Sequence, residues 1–117
     1  MTKAIIYHNP RCSKSRETLK LLEQHNIEHD IHLYLNNPLT KPSLKQLLEE
    51  LELPVRDIIR SGEDEYKEMG LGTENLTDEQ LLDAIVTTPK LMQRPIVSYQ
   101  GKARIGRPPE QVLDLFK

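Results

Sequence analysis

The segment Ala4-Ile5-Ile6-Tyr7-His8-Asn9-Pro10-Arg11-Cys12-Ser13-Lys14-Ser15-Arg16 passes from one backbone regime to another within a few residues. The apolar run at positions 4–7 predicts a buried strand, and Asn9-Pro10 predicts the turn that ends it. From Ser13 to Asn26, Leu19, Leu21 and Leu22 stand among good helix formers, which predicts a helix with Cys12 at or next to its start. The segment is therefore read as a strand, a tight polar turn and a helix.

Outward from this βα unit, Ile31, Leu33 and Leu35 alternate with Asp30, His32 and Tyr34. This alternation predicts a second strand over Glu28 to Leu35, with one wetter face, near a sheet edge. Asn36-Asn37-Pro38 breaks it. Leu44, Leu47, Leu48 and Leu51 then follow the i, i+3, i+4, i+7 spacing of an amphipathic helix. Further helical pieces are expected at Val55 to Arg60, Glu63 to Met69 and Asp78 to Thr87, the last opened by a Thr77-x-x-Gln80 capping box. Ile96 to Tyr99, the Gln100-Gly101 turn and Lys102 to Ile105 read as a β-hairpin, and Pro109 to Phe116 as a closing helix. The order predicts an α/β protein of one domain, residues 1–117. Its four-stranded mixed sheet has a helical insertion between the second and third strands, a thioredoxin-like arrangement.

Composition narrows the function. Apolar residues make up 37% and charged residues 29% of the 117 residues, and neither a secretory signal nor a membrane span is expected at Met1 to Tyr7. A net charge of -2 and 4% aromatic residues disfavour a nucleic-acid surface. One cysteine cannot form an internal disulfide, which favours a cytoplasmic protein with a thiol available for chemistry.

A lone cysteine is ordinarily a buried, inert core residue. Cys12 instead lies in a polar strand-to-helix turn, where the following N–H groups point toward the sulfur. The helix dipole supplies only ~0.3–1 kcal/mol, whereas one pKa unit corresponds to ~1.4 kcal/mol. A reactive thiolate therefore needs cations as well, and His8, Arg11, Lys14 and Arg16 are near in sequence. The same helix start, with Ser13 and Ser15, suits a phosphate-like anion. Arg60, Arg94 and Arg107 stand at turns or element ends, the last two before prolines. Each alone reads as a surface arginine, and their convergence is not visible from spacing. His25, His29 and His32 lack a cysteine cluster, so no metal site is expected.

These residues resemble the glutathione- and glutaredoxin-dependent arsenate reductase family. The likeness runs through Ile6-Tyr7-His8-Asn9-Pro10-x-Cys12-x-x-Ser15-Arg16, Leu33-Tyr34-Leu35 and Val55-Arg56-x-x-x-Arg60. It continues through Tyr66, Gly70-Leu71, Thr77-Asp78-x-Gln80-Leu81, Arg94-Pro95-Ile96-Val97 and Arg107-Pro108. The resemblance implies that Cys12 is the nucleophile and that Arg60, Arg94 and Arg107 bind arsenate or a related oxyanion. It implies supporting roles for His8, Ser15, Arg16 and Pro95, with the Arg94-Pro95 peptide cis. It also implies glutathione as reducing co-substrate, glutaredoxin as partner and no bound cofactor.

Two features depart from the family pattern: the chain runs only to Lys117, where better-known members have a longer tail, and Arg11-Cys12-Ser13-Lys14 is unusually basic. Two alternatives share the fold. Regulators that bind RNA polymerase carry a Cys-x-x-Cys switch, whose second position here is Ser15. Monothiol glutaredoxins usually have Thr-Val-Pro where this chain has Gln93-Arg94-Pro95, a charge better suited to an oxyanion.

Overall fold

A computed structural model describes residues 3–73 and 75–116. The described residues form two compact units, one of 3–37 with 94–116 and one drawn from 38–93. In the first, β1 (Ala4–Tyr7) is followed by α1 (Ser13–Gln24) and β2 (His29–His32), and later by β3 (Ile96–Tyr99) and β4 (Lys102–Ile105). The sheet order is β2-β1-β3-β4. β1 pairs parallel with β2 and antiparallel with β3, while β3 and β4 form the expected antiparallel hairpin. This is the mixed, thioredoxin-like sheet, with the helical insertion entering after β2 and leaving before β3.

Period-two alternation in β1 sends Ala4 and Ile6 to a core they share with Leu22 of α1, Val97 of β3 and Val112. Val97 lies in register with Ile6, so both reach the same face. Val112 comes from Pro109–Phe116, which is a 3-10 helix where an α-helix was expected. Phe116 packs against Tyr99, with ring centroids 4.7 Å apart. Burial of such side chains contributes roughly 1.5–3 kcal/mol each, so this core holds α1, and with it the turn at Cys12, against the sheet.

The second strand differs from expectation. It ends at His32, because the chain turns at Leu33, whose carbonyl accepts from the N–H groups of Asn36 and Asn37. The turn buries Tyr34 to 1% exposure and leaves Leu35 at 39%, the reverse of the alternation read from sequence. Ile31 lies in register with the fully buried Ile6 yet is 48% exposed. It belongs to the edge strand, beyond the cover that Ile6 receives.

The second unit is helical: α2 (Lys41–Leu51), α3 (Asp64–Glu68) and α4 (Asp78–Thr87). Thr40 caps α2 by accepting from the Ser43 N–H at 3.3 Å. The Thr77–Gln80 capping box opens α4 as expected. Val55–Ile58 is a 3-10 turn rather than a longer helix, and Pro89–Leu91 is another. The two are tied by the Ile59–Met92 bridge and by the Gln93 N–H donating to the Ile58 carbonyl at 2.7 Å. Lys41 and Lys45 of α2 pair with Glu79 of α4, and Lys41 also with Asp83. No helix among the described residues is long and apolar enough to cross a membrane.

Candidate functional site

Cys12 occupies the N-cap of α1 in extended conformation. A side chain there faces the unpaired N–H groups of the first helical turn, the position that serine or aspartate commonly fills. The turn before it is fastened by Asn9, whose carbonyl accepts from the Cys12 N–H at 3.0 Å and whose Oδ1 accepts from the Arg11 N–H at 3.0 Å. Asn9 and His8 are both buried. The Ser15 hydroxyl lies 2.6 Å from His8 Nδ1 and accepts from the Asn9 N–H at 3.0 Å.

Two arginines distant in sequence complete the setting. Arg107 donates from Nη2 to the Cys12 sulfur at 3.6 Å and from Nε to the Arg94 carbonyl at 2.9 Å. Burial pushes the Cys12 thiol up. Against it act the Ser15 N–H, the Arg94 guanidinium as hydrogen-bond donor, the Lys14 N–H and the charge of Arg107, and the pKa falls below the ordinary thiol value. Neither backbone N–H makes a short cap bond to the sulfur. Their combined field with two guanidinium groups favours the thiolate where the dipole alone would not.

The cations nearest in sequence do other work. Burial, and then the charge of Arg16, lower the His8 pKa, so this ring is held neutral near pH 7 and braces the turn through Ser15. Arg16 donates from Nη1 to the Pro10 carbonyl at 2.9 Å, and Lys14 pairs with Glu17 at 3.7 Å. Arg60 belongs to the second unit. There its Nε donates to Glu63 Oε1 at 3.2 Å and its N–H to the Leu91 carbonyl at 2.7 Å.

The Arg94-Pro95 peptide is cis, as expected, and so is Arg107-Pro108, which was not foreseen. Cys12, Arg94 and Arg107 lie together in the first unit, with the Cys12 sulfur beside two guanidinium groups. Such a setting can attract a tetrahedral oxyanion and attack its central atom. Among the described residues, no group of three or more His, Cys, Asp or Glu is placed to hold a metal ion.

The sequence pattern of the ArsC family matches residues 7–115. The chain belongs to the ArsC family. It is 53% identical over 117 residues to "Uncharacterized protein YfgD" of Escherichia coli (strain K12), covering 98% of each chain. It is 44% identical over 113 residues to "Arsenate reductase" of Neisseria meningitidis serogroup B, covering 96% of this chain and 97% of that one. Among solved structures, "Arsenate reductase from Vibrio cholerae" superposes with a TM-score of 0.95 at 48% identity, covering 97% and 98% of the two chains.

Within this ArsC chain, three supporting residues were not singled out from sequence. Asn9 reads in the sequence as a turn former and as part of the family likeness, and in the structure its side chain and carbonyl both shape the turn. Thr18, fully buried, donates from Oγ1 to the Lys14 carbonyl at 2.9 Å. Gly106 donates its N–H to the Pro95 carbonyl at 2.9 Å. A Cβ on Gly106 would lie 2.5 Å from Thr18 Oγ1 and 2.7 Å from Pro95 Cγ. That close approach lets the end of β4 deliver Arg107 beside Cys12. Gly106 before Arg107-Pro108 was the available signal, and it reads equally well as an ordinary strand end.

Proposed function

We propose that this chain reduces arsenate, or a similar tetrahedral oxyanion, to arsenite, with glutathione and glutaredoxin supplying the electrons. The observation that carries the reading is the 3.6 Å contact from Arg107 Nη2 to the Cys12 sulfur at the N-cap of α1. A neutral thiol gains little from a guanidinium at that range, whereas a thiolate and an incoming oxyanion both gain. The relatives named arsenate reductase support the substrate.

In this reading the Cys12 thiolate attacks arsenic(V), and a protonated oxygen leaves as water. Arg94 and Arg107 offset the substrate's negative charge, which otherwise repels the thiolate. Arg60 joins them on the strength of the family pattern. The sulfur of glutathione displaces a second oxygen, also as water. A glutaredoxin thiolate then attacks the glutathione sulfur. The arsenic–glutathione bond breaks with its electron pair remaining on arsenic, now arsenic(III), and a glutaredoxin–glutathione mixed disulfide forms. Water adds to arsenic, the arsenic–Cys12 bond breaks, a proton returns to the sulfur and arsenite departs. With a single cysteine, no internal disulfide can close this cycle, so an external thiol must. Such a cycle suits the reducing cytoplasm.

The deciding experiment couples NADPH oxidation to glutathione reductase, glutathione and glutaredoxin, with and without arsenate. Arsenate-dependent oxidation by the wild-type chain and none by Cys12→Ser, with both proteins folded, is the expected result. Full activity in the serine variant, or without added thiol, would overturn the mechanism. Lack of arsenate turnover by the wild type would overturn the substrate.

A further inference from the structure

The basic flank of Cys12 has no role in the chemistry above. Arg94 and Arg107 are directed at the sulfur, and Arg16 is tied to the Pro10 carbonyl at 2.9 Å. Arg11 is different. Its N–H is held by Asn9 Oδ1 at 3.0 Å, which fixes its backbone next to Cys12, while its exposed guanidinium has no ion pair or hydrogen bond among the described residues. Among the described residues the Lys14 ammonium has only a 3.7 Å pair with Glu17, both side chains about half exposed at 46% and 54%. An exposed pair of this length is readily exchanged for another carboxylate. The first turn of α1 carries no acidic residue. In a chain of net charge -2, this positive rim is local.

We infer that Arg11 and Lys14, on either side of Cys12, recruit the carboxylates of the reducing thiol and so select an anionic peptide thiol of the glutathione type over an uncharged one. This rests on the thiol-dependent reduction proposed above. The oxyanion engages the inner arginines, which leaves the outer cations for the second reactant. Glutathione carries more carboxylate than ammonium groups, so its net charge is negative and a positive rim raises its local concentration at the sulfur. Charge of this kind steers encounter and is screened by salt.

The test uses the intact chain without arsenic. The Cys12 thiolate attacks one sulfur of glutathione disulfide. The S–S bond breaks, a Cys12–glutathione disulfide forms, and a glutathione thiolate leaves: Cys12 is oxidised as the departing glutathione is reduced. Mass spectrometry follows this rate beside that with bis(2-hydroxyethyl) disulfide, which is uncharged. Each rate is normalised to the same disulfide reacting with free cysteine. The expected wild-type preference for glutathione disulfide falls by about five- to tenfold in Arg11→Gln/Lys14→Gln, given the modest worth of each exposed charge. It persists in Arg11→Lys and in a distant control, Lys20→Gln, and collapses for the wild type in molar salt. Iodoacetamide, uncharged, reports the thiolate itself, and circular dichroism reports the fold. An unchanged preference in the double variant, equal slowing toward both disulfides and iodoacetamide, or equal loss in Lys20→Gln would overturn the inference. Absent arsenate turnover with the preference intact would instead count against the proposed reduction alone.

Discussion

Arg107 spans 95 positions of sequence to place Nη2 3.6 Å from the Cys12 sulfur, while its Nε holds the carbonyl of Arg94 at 2.9 Å. One guanidinium thus anchors the backbone of the other arginine and faces the Cys12 sulfur. Arg94→Ala and Arg107→Ala are expected to move the pH midpoint of Cys12 alkylation toward alkaline values, since each removes a group that lowers the thiol pKa. Oxyanion turnover should fall by roughly 10²–10³, the loss typical of removing a fixed donor from developing negative charge. Arg107→Lys should recover little, because an ammonium cannot hold the Arg94 carbonyl and the sulfur with a planar fork. Iodoacetamide rates across pH and the coupled assay test both parts.

Arg60 gives a contrasting expectation. Its Nε donates to Glu63 Oε1 at 3.2 Å, and the groups that act most on the Cys12 thiol are Ser15, Arg94, Lys14 and Arg107. Arg60→Ala should therefore weaken oxyanion turnover while leaving the alkylation profile in place. A profile shifted as far as that of Arg107→Ala would show that Arg60 acts on the thiol rather than on the substrate.

His8 and Ser15 predict a dependence of stability on pH. The folded His8 pKa lies below the ordinary value of 6.5, through burial and then the charge of Arg16. As pH falls through that ordinary value the unfolded chain takes up the proton first, so stability drops and levels off only below the folded pKa. Above pH 6.5 this contribution is fully present. Denaturant titrations between pH 7.5 and 5, about the histidine range, should show the loss, and His8→Asn should flatten it. Ser15→Ala leaves His8 Nδ1 and the Asn9 N–H without the buried oxygen they now share, and is expected to cost about 1–3 kcal/mol.

In the second unit, Thr77 accepts from the Gln80 N–H at 3.2 Å, and the Gln80 side chain accepts from the Thr77 N–H at 2.9 Å. Thr77→Ala should destabilise the chain by about 0.5–2 kcal/mol without moving the Cys12 alkylation profile. Calorimetry and iodoacetamide kinetics on one preparation separate the two effects.

Local chemistry in the sequence was sufficient for the strand, turn and helix around Cys12, the Thr77 capping box, the stripe at Leu44, Leu47 and Leu51, and the hairpin at Gln100-Gly101. Each rests on side-chain spacing or backbone preference within a few residues, which is short-range information. Alternation at Ile31 to Leu35 misled because period reports which residues share a face. It does not say where a strand stops or how far the cover over that face extends. Tertiary structure alone decided which cations act on the thiol. His8 and Arg16 are adjacent in sequence but are committed to Ser15 and Pro10, whereas Arg94 and Arg107 reach the sulfur because β3 and β4 line up beside β1 in one sheet. Coulombic and hydrogen-bond effects depend on distance in space, and sheet pairing sets that distance across nearly the whole length of the chain.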